Sequence, residues 1–268
     1  MATFRTRLAA LATLLSIGVG PAWAAPDAAG TASPEVLTLR LRMSNVHLLK
    51  TATPVLVDAG GPGDMPALVE ALAPHGLKVE DIALVVLTHG HSDHAGLGAA
   101  IQRLGRAKVA AGAGDVPMLQ RGDHGELTPT NLTARLLARF AVDPRFPPFE
   151  PDLVVRSELD LAPWGVAGKA IVLPGHTPGS MAVVLDGERA IVGDMLLGGY
   201  LGGAVRPDRA GRHYFHADEP RNDRNIEALL QRGVRTFHLG HGGPVGRDSV
   251  IEAFPHAAPS TRDAAGGR

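Results

Sequence analysis

Cysteine is absent from this chain of 268 residues. Its absence excludes disulfide bonds, thiolate metal ligands, a cysteine nucleophile and a lipid anchor on cysteine. Any metal in this protein must therefore be held by nitrogen and oxygen ligands, which means imidazole and carboxylate groups.

Aromatic residues and net charge are also scarce. Phe, Trp and Tyr together make up 4% of the residues, and the formal net charge is −1. This composition provides neither a base-stacking surface nor a strongly basic face, so we expect no nucleic-acid partner. Hydrophobic residues make up 45% of the chain, which is typical of a globular protein. The length allows one large α/β domain or two small ones.

Residues 1–24 have the pattern of a secretory signal peptide. Two arginines precede the apolar stretch from Leu8 to Val19, and Ala22-Trp23-Ala24 offers a cleavage site with small residues. The alternative, an uncleaved membrane anchor, is disfavoured because the stretch is short and ends at Gly20-Pro21. We therefore expect a periplasmic or secreted protein that has no membrane attachment after cleavage.

The remaining chain divides into three parts. Residues 25–34 are rich in Ala, Pro, Gly and Ser and predict a flexible leader, whereas residues 257–268 predict a disordered tail. Residues 35–256 carry apolar strand patterns interrupted by helical ones, and we expect them to form the catalytic domain. The order of these patterns predicts an α/β protein, an αββα sandwich of two mixed β-sheets flanked by helices.

The densest cluster of candidate metal ligands is His89-Gly90-His91-Ser92-Asp93-His94. It follows the apolar run from Ile82 to Leu87, which is typical of a buried strand. A surface turn that happens to be rich in histidine is the plain alternative. The spacing His-x-His-x-Asp-His favours a metal site, because one short segment then offers ligands to two neighbouring ions.

Three further candidate ligands each follow an apolar strand and a glycine. They are His176 after Gly175, Asp194 after Gly193 and His241 after Gly240. A lone histidine in such a place is more often structural, and a Gly-Asp pair is more often a turn. Together with the histidine-rich segment, however, the three would complete two coordination spheres.

These motifs resemble, in type and in order, those of the metallo-β-lactamase-fold superfamily. The matching segments are Val57-Asp58-Ala59-Gly60, Thr88-His89-Gly90-His91-Ser92-Asp93-His94, Gly175-His176-Thr177-Pro178-Gly179-Ser180, Gly193-Asp194 and Gly240-His241-Gly242.

The resemblance implies a centre with two Zn²⁺ ions per chain. It assigns His89, His91 and His176 to the first zinc, and Asp93, His94 and His241 to the second. Asp194 would bridge the two ions. Asp58 would orient a ligand histidine through its other ring nitrogen, although a simple turn residue before Gly60-Gly61 is an equal alternative.

Such a centre implies hydrolysis. Two zinc ions roughly 3.5–4 Å apart can share one water as hydroxide near neutral pH. That hydroxide would attack the carbonyl carbon of a small-molecule acyl substrate, and Asp93 is placed to handle the proton. No protein nucleophile is required, which agrees with the lack of cysteine.

The fold does not fix the substrate. Gly193-Asp194 and Gly240-His241-Gly242 resemble the glyoxalase II and lactonase branches, which cleave thioesters and lactones. The segment from Gly175 to Ser180 is shared with some true β-lactamases, and export favours them, but they do not use a bridging carboxylate. An iron-dependent persulfide dioxygenase with one metal and a catalytically inactive binding module are further alternatives.

Less regular segments are candidates for substrate contacts. Phe140, Phe146 and Phe149 are interpreted either as an apolar wall or as the packing of a long loop onto the core. Tyr200 lies in a glycine-rich segment interpreted as a mobile loop, where it could donate a hydrogen bond to the substrate. The segment His213-Tyr214-Phe215-His216 is interpreted as a pocket edge or a packed loop rather than as a further metal site.

Overall fold

The structure is a computed structural model that describes residues 33–138 and 144–257. The expected signal peptide, residues 25–32 of the leader, Phe140 and residues 258–268 of the tail lie outside the described residues. Within the described ranges, no helix is long and apolar enough to cross a membrane.

The first sheet is mixed and has its strands in chain order. Its first three strands pair antiparallel, and the remaining pairings are parallel. The strands are β1 (Val36–Arg40), β2 (Asn45–Leu49), β3 (Val55–Val57), β4 (Leu84–Val86), β5 (Lys108–Gly112) and β6 (Leu153–Val155).

The second half of the chain forms a second mixed sheet and a separate hairpin. The strands are β7 (Glu158–Asp160), β8 (Gly168–Val172), β9 (Met181–Leu185), β10 (Arg189–Gly193), β11 (Leu197–Tyr200), β12 (Val205–Gly211), β13 (Thr236–Leu239) and β14 (Val245–Gly246). The sheet order is β14-β13-β10-β9-β8-β7, and β11 pairs with β12 in the hairpin. Within this second sheet, as far as the structure describes it, only the β10–β13 pairing is parallel.

Helices flank both sheets. Side chains of α1 (Met65–Leu72), α2 (Ser92–Ala95), α3 (Gly98–Arg103) and α4 (Val116–Arg121) join the core outside the first sheet, and those of α6 (Glu219–Gln231) and α7 (Arg247–Ala253) join the core outside the second. The short helix α5 (Leu132–Leu137) contributes to neither of these cores.

Alternation along the strands produces the layers, because successive side chains point to opposite faces of a sheet. In β4, Leu84 and Val86 pack between the two sheets, whereas Val85 packs towards the outer helices. In β13, Phe237 and Leu239 pack against α6 and α7. The αββα sandwich expected from the sequence is therefore confirmed.

Two segments differ from expectation. The sequence from about His94 to Leu104 predicts one helical stretch, whereas the structure has two short helices there, α2 and α3. Gly96 separates them, and a Cβ at this position would collide with the backbone of Ser92 and with Pro62. The glycine-rich segment around Tyr200 forms the β11–β12 hairpin, because its glycines let the turn approach the backbone of Gly242.

Candidate metal centre

The expected ligands meet because they follow strands that end at one edge of the sandwich. Parallel strands bring their carboxyl ends together, and this holds for β3 and β4 in one sheet and for β10 and β13 in the other. The two sheets are joined at this edge by a hydrogen bond from Met181 N to Thr88 O at 2.7 Å.

The first group consists of His89, His91, His176 and Asp194. One donor atom from each lies within 4.8 Å of all the others. Nδ1 of His91 lies 3.1 Å from Nε2 of His176. The sequence-based prediction named all four residues, and the structure brings them together.

The second group consists of Asp93, His94 and His241, and it meets the same distance condition. Oδ2 of Asp93 lies 3.2 Å from Nε2 of His241 and 3.6 Å from Nε2 of His94. Asp93 is partly accessible, with 15% of its side chain exposed, so a small molecule can reach its carboxylate.

Asp194 lies between the two groups. Its Oδ2 is 3.8 Å from Nε2 of both His89 and His176, 3.5 Å from that of His94 and 3.4 Å from that of His241. Two ligands of one tetrahedral zinc are ~3.3 Å apart when each lies about 2.0–2.1 Å from the metal. The spacing therefore fits a carboxylate shared by two metal positions.

Buried atoms without partners support this interpretation. Among the described residues, His89 Nε2, His94 Nε2 and Asp194 Oδ1 are buried and have no hydrogen-bond partner. Burying a polar atom unpaired costs free energy. Imidazole nitrogens and carboxylate oxygens are zinc ligands, so the donor set fits metal ions.

Asp58 holds the histidines in orientation. Its Oδ2 accepts hydrogen bonds from Nδ1 of His94 at 2.9 Å and from Oγ1 of Thr88 at 2.8 Å. The same hydroxyl lies 3.1 Å from Nδ1 of His89. Asp58 therefore fixes the ring of His94 directly and that of His89 through Thr88, which leaves both Nε2 atoms facing the centre. It also forms the turn, at φ 69°.

Glycine is required at position 240. A Cβ there would collide with Oδ1 of Asp194 and with the ring of His94. The glycine before His241 thus lets the strand end pass directly behind two candidate ligands.

The three histidines of the first group are neutral in this environment. Burial lowers the pKa of His89, His91 and His176 well below the usual value, and the neighbouring imidazoles lower it further. Neutral imidazole is the form that binds metal.

In the second group, nearby carboxylates outweigh burial and favour protonated histidines. Burial disfavours the charged form of His241, but the carboxylates of Asp194 and Asp93 outweigh it and raise its pKa to about 10. The pKa of His94 is raised for the same reason. Burial likewise opposes ionisation of Asp93, yet His94 and His241 hold its pKa below the usual value. The carboxylates therefore attract positive charge to this position.

Asp115 was not identified from the sequence. Its Oδ2 accepts hydrogen bonds from Gly90 N at 2.9 Å and Thr177 Oγ1 at 2.6 Å, and its Oδ1 accepts one from Gly179 N at 2.7 Å. The carboxylate thus connects the loop of His89 and His91 to the loop of His176. The sequence signal for Asp115 is only its place directly before Val116-Pro117, where a short helix begins, and such a place is not specific.

His213 lies closer to the centre than expected. Its Nε2 is 3.3 Å from Oδ2 of Asp194. The interpretation of residues 213–216 as a pocket edge fits His216, which borders a small cavity with His91 and His124. It does not fit His213, whose side chain faces the candidate ligands.

The aromatic residues considered as substrate contacts lie in two different environments. Phe146 and Phe149 are buried in the core outside the first sheet, where Phe149 packs against Gly98. The structure thus shows loop packing rather than an apolar wall for these two residues. Tyr200 is 52% exposed at the end of β11.

Known proteins share the pattern of this chain over most of its length. The model of the metallo-beta-lactamase superfamily matches residues 39–251. The chain belongs to the metallo-beta-lactamase superfamily. This family assignment confirms the resemblance drawn from the motifs, and it includes all seven expected ligands within the matched range.

Individual relatives of this superfamily member match over shorter lengths. A hydroxyacylglutathione hydrolase from Anaeromyxobacter dehalogenans is 31% identical over 147 residues, which cover 53% of this chain and 44% of that protein. Mouse metallo-beta-lactamase domain-containing protein 1 is 63% identical over 43 residues, 16% of each chain. The chain thus matches less than half the length of these two curated relatives.

A solved structure from the family agrees over most of the chain. A metallo-beta-lactamase family protein from Thermus thermophilus has a TM-score of 0.58 and 26% identity, and the match covers 84% of this chain and 79% of that one. The chain therefore has the fold of this family, and its clustered His and Asp side chains could hold metal ions.

Proposed function

We propose that this protein is a dinuclear zinc hydrolase that cleaves a lactone, thioester or ester of a small acyl compound. The observation that carries the proposal is the position of Asp194, whose carboxylate lies between the two groups of candidate ligands. Zinc ions held there would lower the pKa of water to supply a nucleophile, and would polarise the substrate carbonyl.

The residues of the chain have distinct parts in this proposal. Asp194 holds the two positions together, and Asp58 orients His94 and His89. Asp93 is the proton-handling group, because its Oδ2 lies at the accessible side of the centre next to His241. No nucleophilic side chain is needed.

The cavity beside the second group supports a small-molecule substrate. A cavity of about 420 Å³ runs along His241 and falls within the usual range for ligand pockets. Arg40, Arg42 and the exposed Met43 and Leu201 lie along it. This lining suits a substrate with both an anionic and an apolar part.

Cleavage of an acyl substrate rather than a β-lactam is favoured by two features. The first is the carboxylate of Asp194 between the two groups, since a bridging aspartate is a feature of the glyoxalase II and lactonase branches. The second is the similarity to a hydroxyacylglutathione hydrolase over 53% of the chain.

A hydrolysis screen tests the proposal. The zinc-loaded protein is assayed against a lactone, a thioester, an ester and the β-lactam nitrocefin. We expect turnover of at least one of the first three. Turnover of nitrocefin alone would replace the proposal with a β-lactamase. One bound iron with persulfide oxidation would replace it with a dioxygenase.

Replacing Asp93 tests the mechanism. We expect Asp93→Ala to lower kcat at least about 100-fold, because a positioned proton-transfer group contributes that much or more. Exposed Asp248 provides the matched control, and Asp248→Ala should keep full activity. Turnover at the wild-type rate in Asp93→Ala would refute the role of this residue.

We also propose that the protein acts outside the cytoplasm, on the basis of the signal-peptide pattern of residues 1–24. N-terminal sequencing of the protein from an expressing bacterium tests this. We expect the mature chain to begin at Ala25 in the periplasmic or secreted fraction, and an intact cytoplasmic Met1 form would contradict it.

A further inference from the structure

The loop after β12 brings an additional imidazole to the candidate metal centre. His213 is 7% exposed, and its Nε2 lies 3.3 Å from Oδ2 of Asp194. This is the shortest of the distances from that oxygen to a histidine of the centre, since the other four range from 3.4 to 3.8 Å. Donor atoms of Asp194, His213 and His241 all lie within 4.8 Å of one another.

The backbone sets the orientation of this ring. Nδ1 of His213 lies 3.3 Å from both the amide nitrogen and the carbonyl oxygen of Phe215. The same carbonyl oxygen accepts a hydrogen bond from Nδ1 of His176 at 2.8 Å. With Nδ1 held by the backbone, Nε2 of His213 is directed at the centre, as Nε2 of His176 is.

Neighbouring contacts keep the loop in place. Arg212, the preceding residue, forms a two-pronged ion pair with Asp223 of α6 at 2.7 and 2.9 Å, and its guanidinium lies over the ring of Phe254. On the other side, the ring of His213 stacks on that of His241 with an interplanar angle of 23°. Because these contacts already fix the side chain, metal binding would lose little further conformational entropy there.

We propose that His213 is a further protein ligand of this centre, binding the second metal beside Asp194 and His241. This inference rests on the proposed metal centre. The second position would then take imidazole nitrogen from His94, His213 and His241 together with the carboxylates of Asp93 and Asp194. A site so rich in imidazole selects zinc or another late divalent transition metal over Mg²⁺, Ca²⁺ or Mn²⁺.

The alternative role for His213 is a hydrogen bond to Asp194 without metal binding. The variants His213→Gln and His213→Ala separate the two roles. The glutamine amide can still donate a hydrogen bond to Asp194, but it is a poor zinc ligand. His256→Gln is the matched control, because it removes an imidazole that is 60% exposed. The ring of His256 contacts Asp223, not Asp194.

Two readouts that do not depend on activity decide between the roles. The first is the affinity for the more weakly bound zinc, measured by competition with a chromophoric chelator. Since loss of a residue that only supports a ligand already costs about 10–100-fold, we expect at least about a tenfold loss in both His213 variants. The second is proton NMR of the Co(II)-loaded protein, in which each ligand histidine gives a hyperfine-shifted ring N–H signal. We expect His213→Gln to remove one such signal and His256→Gln to remove none.

The outcomes are distinct. A wild-type protein that binds two metals, together with His213→Gln that keeps both the affinity and every shifted signal, would overturn the inference and leave the proposed function intact. Failure of the wild-type protein to bind metal would overturn the proposed centre itself.

Discussion

Each candidate ligand has its state of protonation set by its immediate neighbours. His89, His91 and His176 face mainly other imidazoles and remain neutral, whereas His94 and His241 face carboxylates and hold protons. In the metal-free protein, the protonated rings of His94 and His241 therefore balance the negative charge of Asp93 and Asp194 at the second position. Metal and protons must compete there.

This competition predicts how metal affinity depends on pH. His241 has its pKa raised to about 10 in the metal-free site, so it binds a proton at neutral pH and must release it to a metal. The affinity of the second position should therefore rise with pH, by about tenfold per pH unit for each proton released. The first position has histidines with lowered pKa values and should change much less between pH 6 and 8.

Zinc titrations with a competing chelator at pH 6, 7 and 8 measure both steps. We expect the weaker step to strengthen by about 100-fold across this range for each proton that leaves, and therefore by about 10,000-fold if both His94 and His241 release theirs. Equal pH dependence of the two steps would contradict the assignment of charge to the two groups.

The sequence identified the candidate ligands that stand close together in one motif, and it did not identify His213, which only the fold brings near them. His89, His91, Asp93 and His94 stand in one segment, so their convergence is local. His213 follows a strand and a Gly211-Arg212 pair much as His241 follows Gly240, but only the β11–β12 hairpin turns it towards Asp194. No pattern within residues 205–213 encodes that direction.

At the scale of elements, the centre depends on loops held together by shared hydrogen bonds. Asp115, between β5 and α4, joins the loop after β4 to the loop after β8 through three hydrogen bonds. Its pKa is raised by burial although these bonds oppose the shift. The carboxylate is thus a positioning group for His91 and His176.

Removing this carboxylate should loosen both loops. We expect Asp115→Ala to lower the free energy of unfolding by about 3 kcal/mol, because it leaves buried donors unpaired, and to weaken binding of the first metal about 10–100-fold. Urea denaturation and zinc competition measure the two effects. Asp123→Ala is the control, since Asp123 accepts a hydrogen bond from an exposed turn at Gly125. Unchanged zinc affinity in Asp115→Ala would contradict the positioning role.

Strands were predicted better than helices and turns. Both sheets contain clear apolar runs. The sequence predicts strands over Leu153–Val155 and Thr236–Leu239, and β6 and β13 have these bounds. The β11–β12 hairpin was missed because its exposed strand β12 lacks an apolar face and its glycines are typical of loops. Its pairing depends on contact with Gly242, which is distant in sequence.

For the whole molecule, the centre joins the two sheets. His89 and His91 follow a strand of the first sheet, whereas His176, Asp194 and His241 follow strands of the second. Metal ions bound there would connect both halves of the sandwich, and the unfolded chain would lose this connection.

Chelation should therefore lower the stability of the whole domain. A ligand present at about 1,000 times its Kd stabilises the folded state by about 4 kcal/mol. For a protein of this size, we expect removal of zinc to lower Tm by on the order of 10 °C, with recovery on adding zinc. A differential scanning calorimetry trace that is the same with and without metal would contradict a centre that connects the sheets.

The stoichiometry of zinc binding tests the dinuclear centre most directly. The protein is stripped with a chelator, titrated with zinc and weighed by native mass spectrometry, alongside Asp194→Ala. We predict that the wild-type mass rises by two zinc ions per chain and that the variant fails to hold the pair under the same conditions. A wild-type chain that binds no zinc or only one ion, or an Asp194→Ala chain that still binds two as tightly, would contradict it.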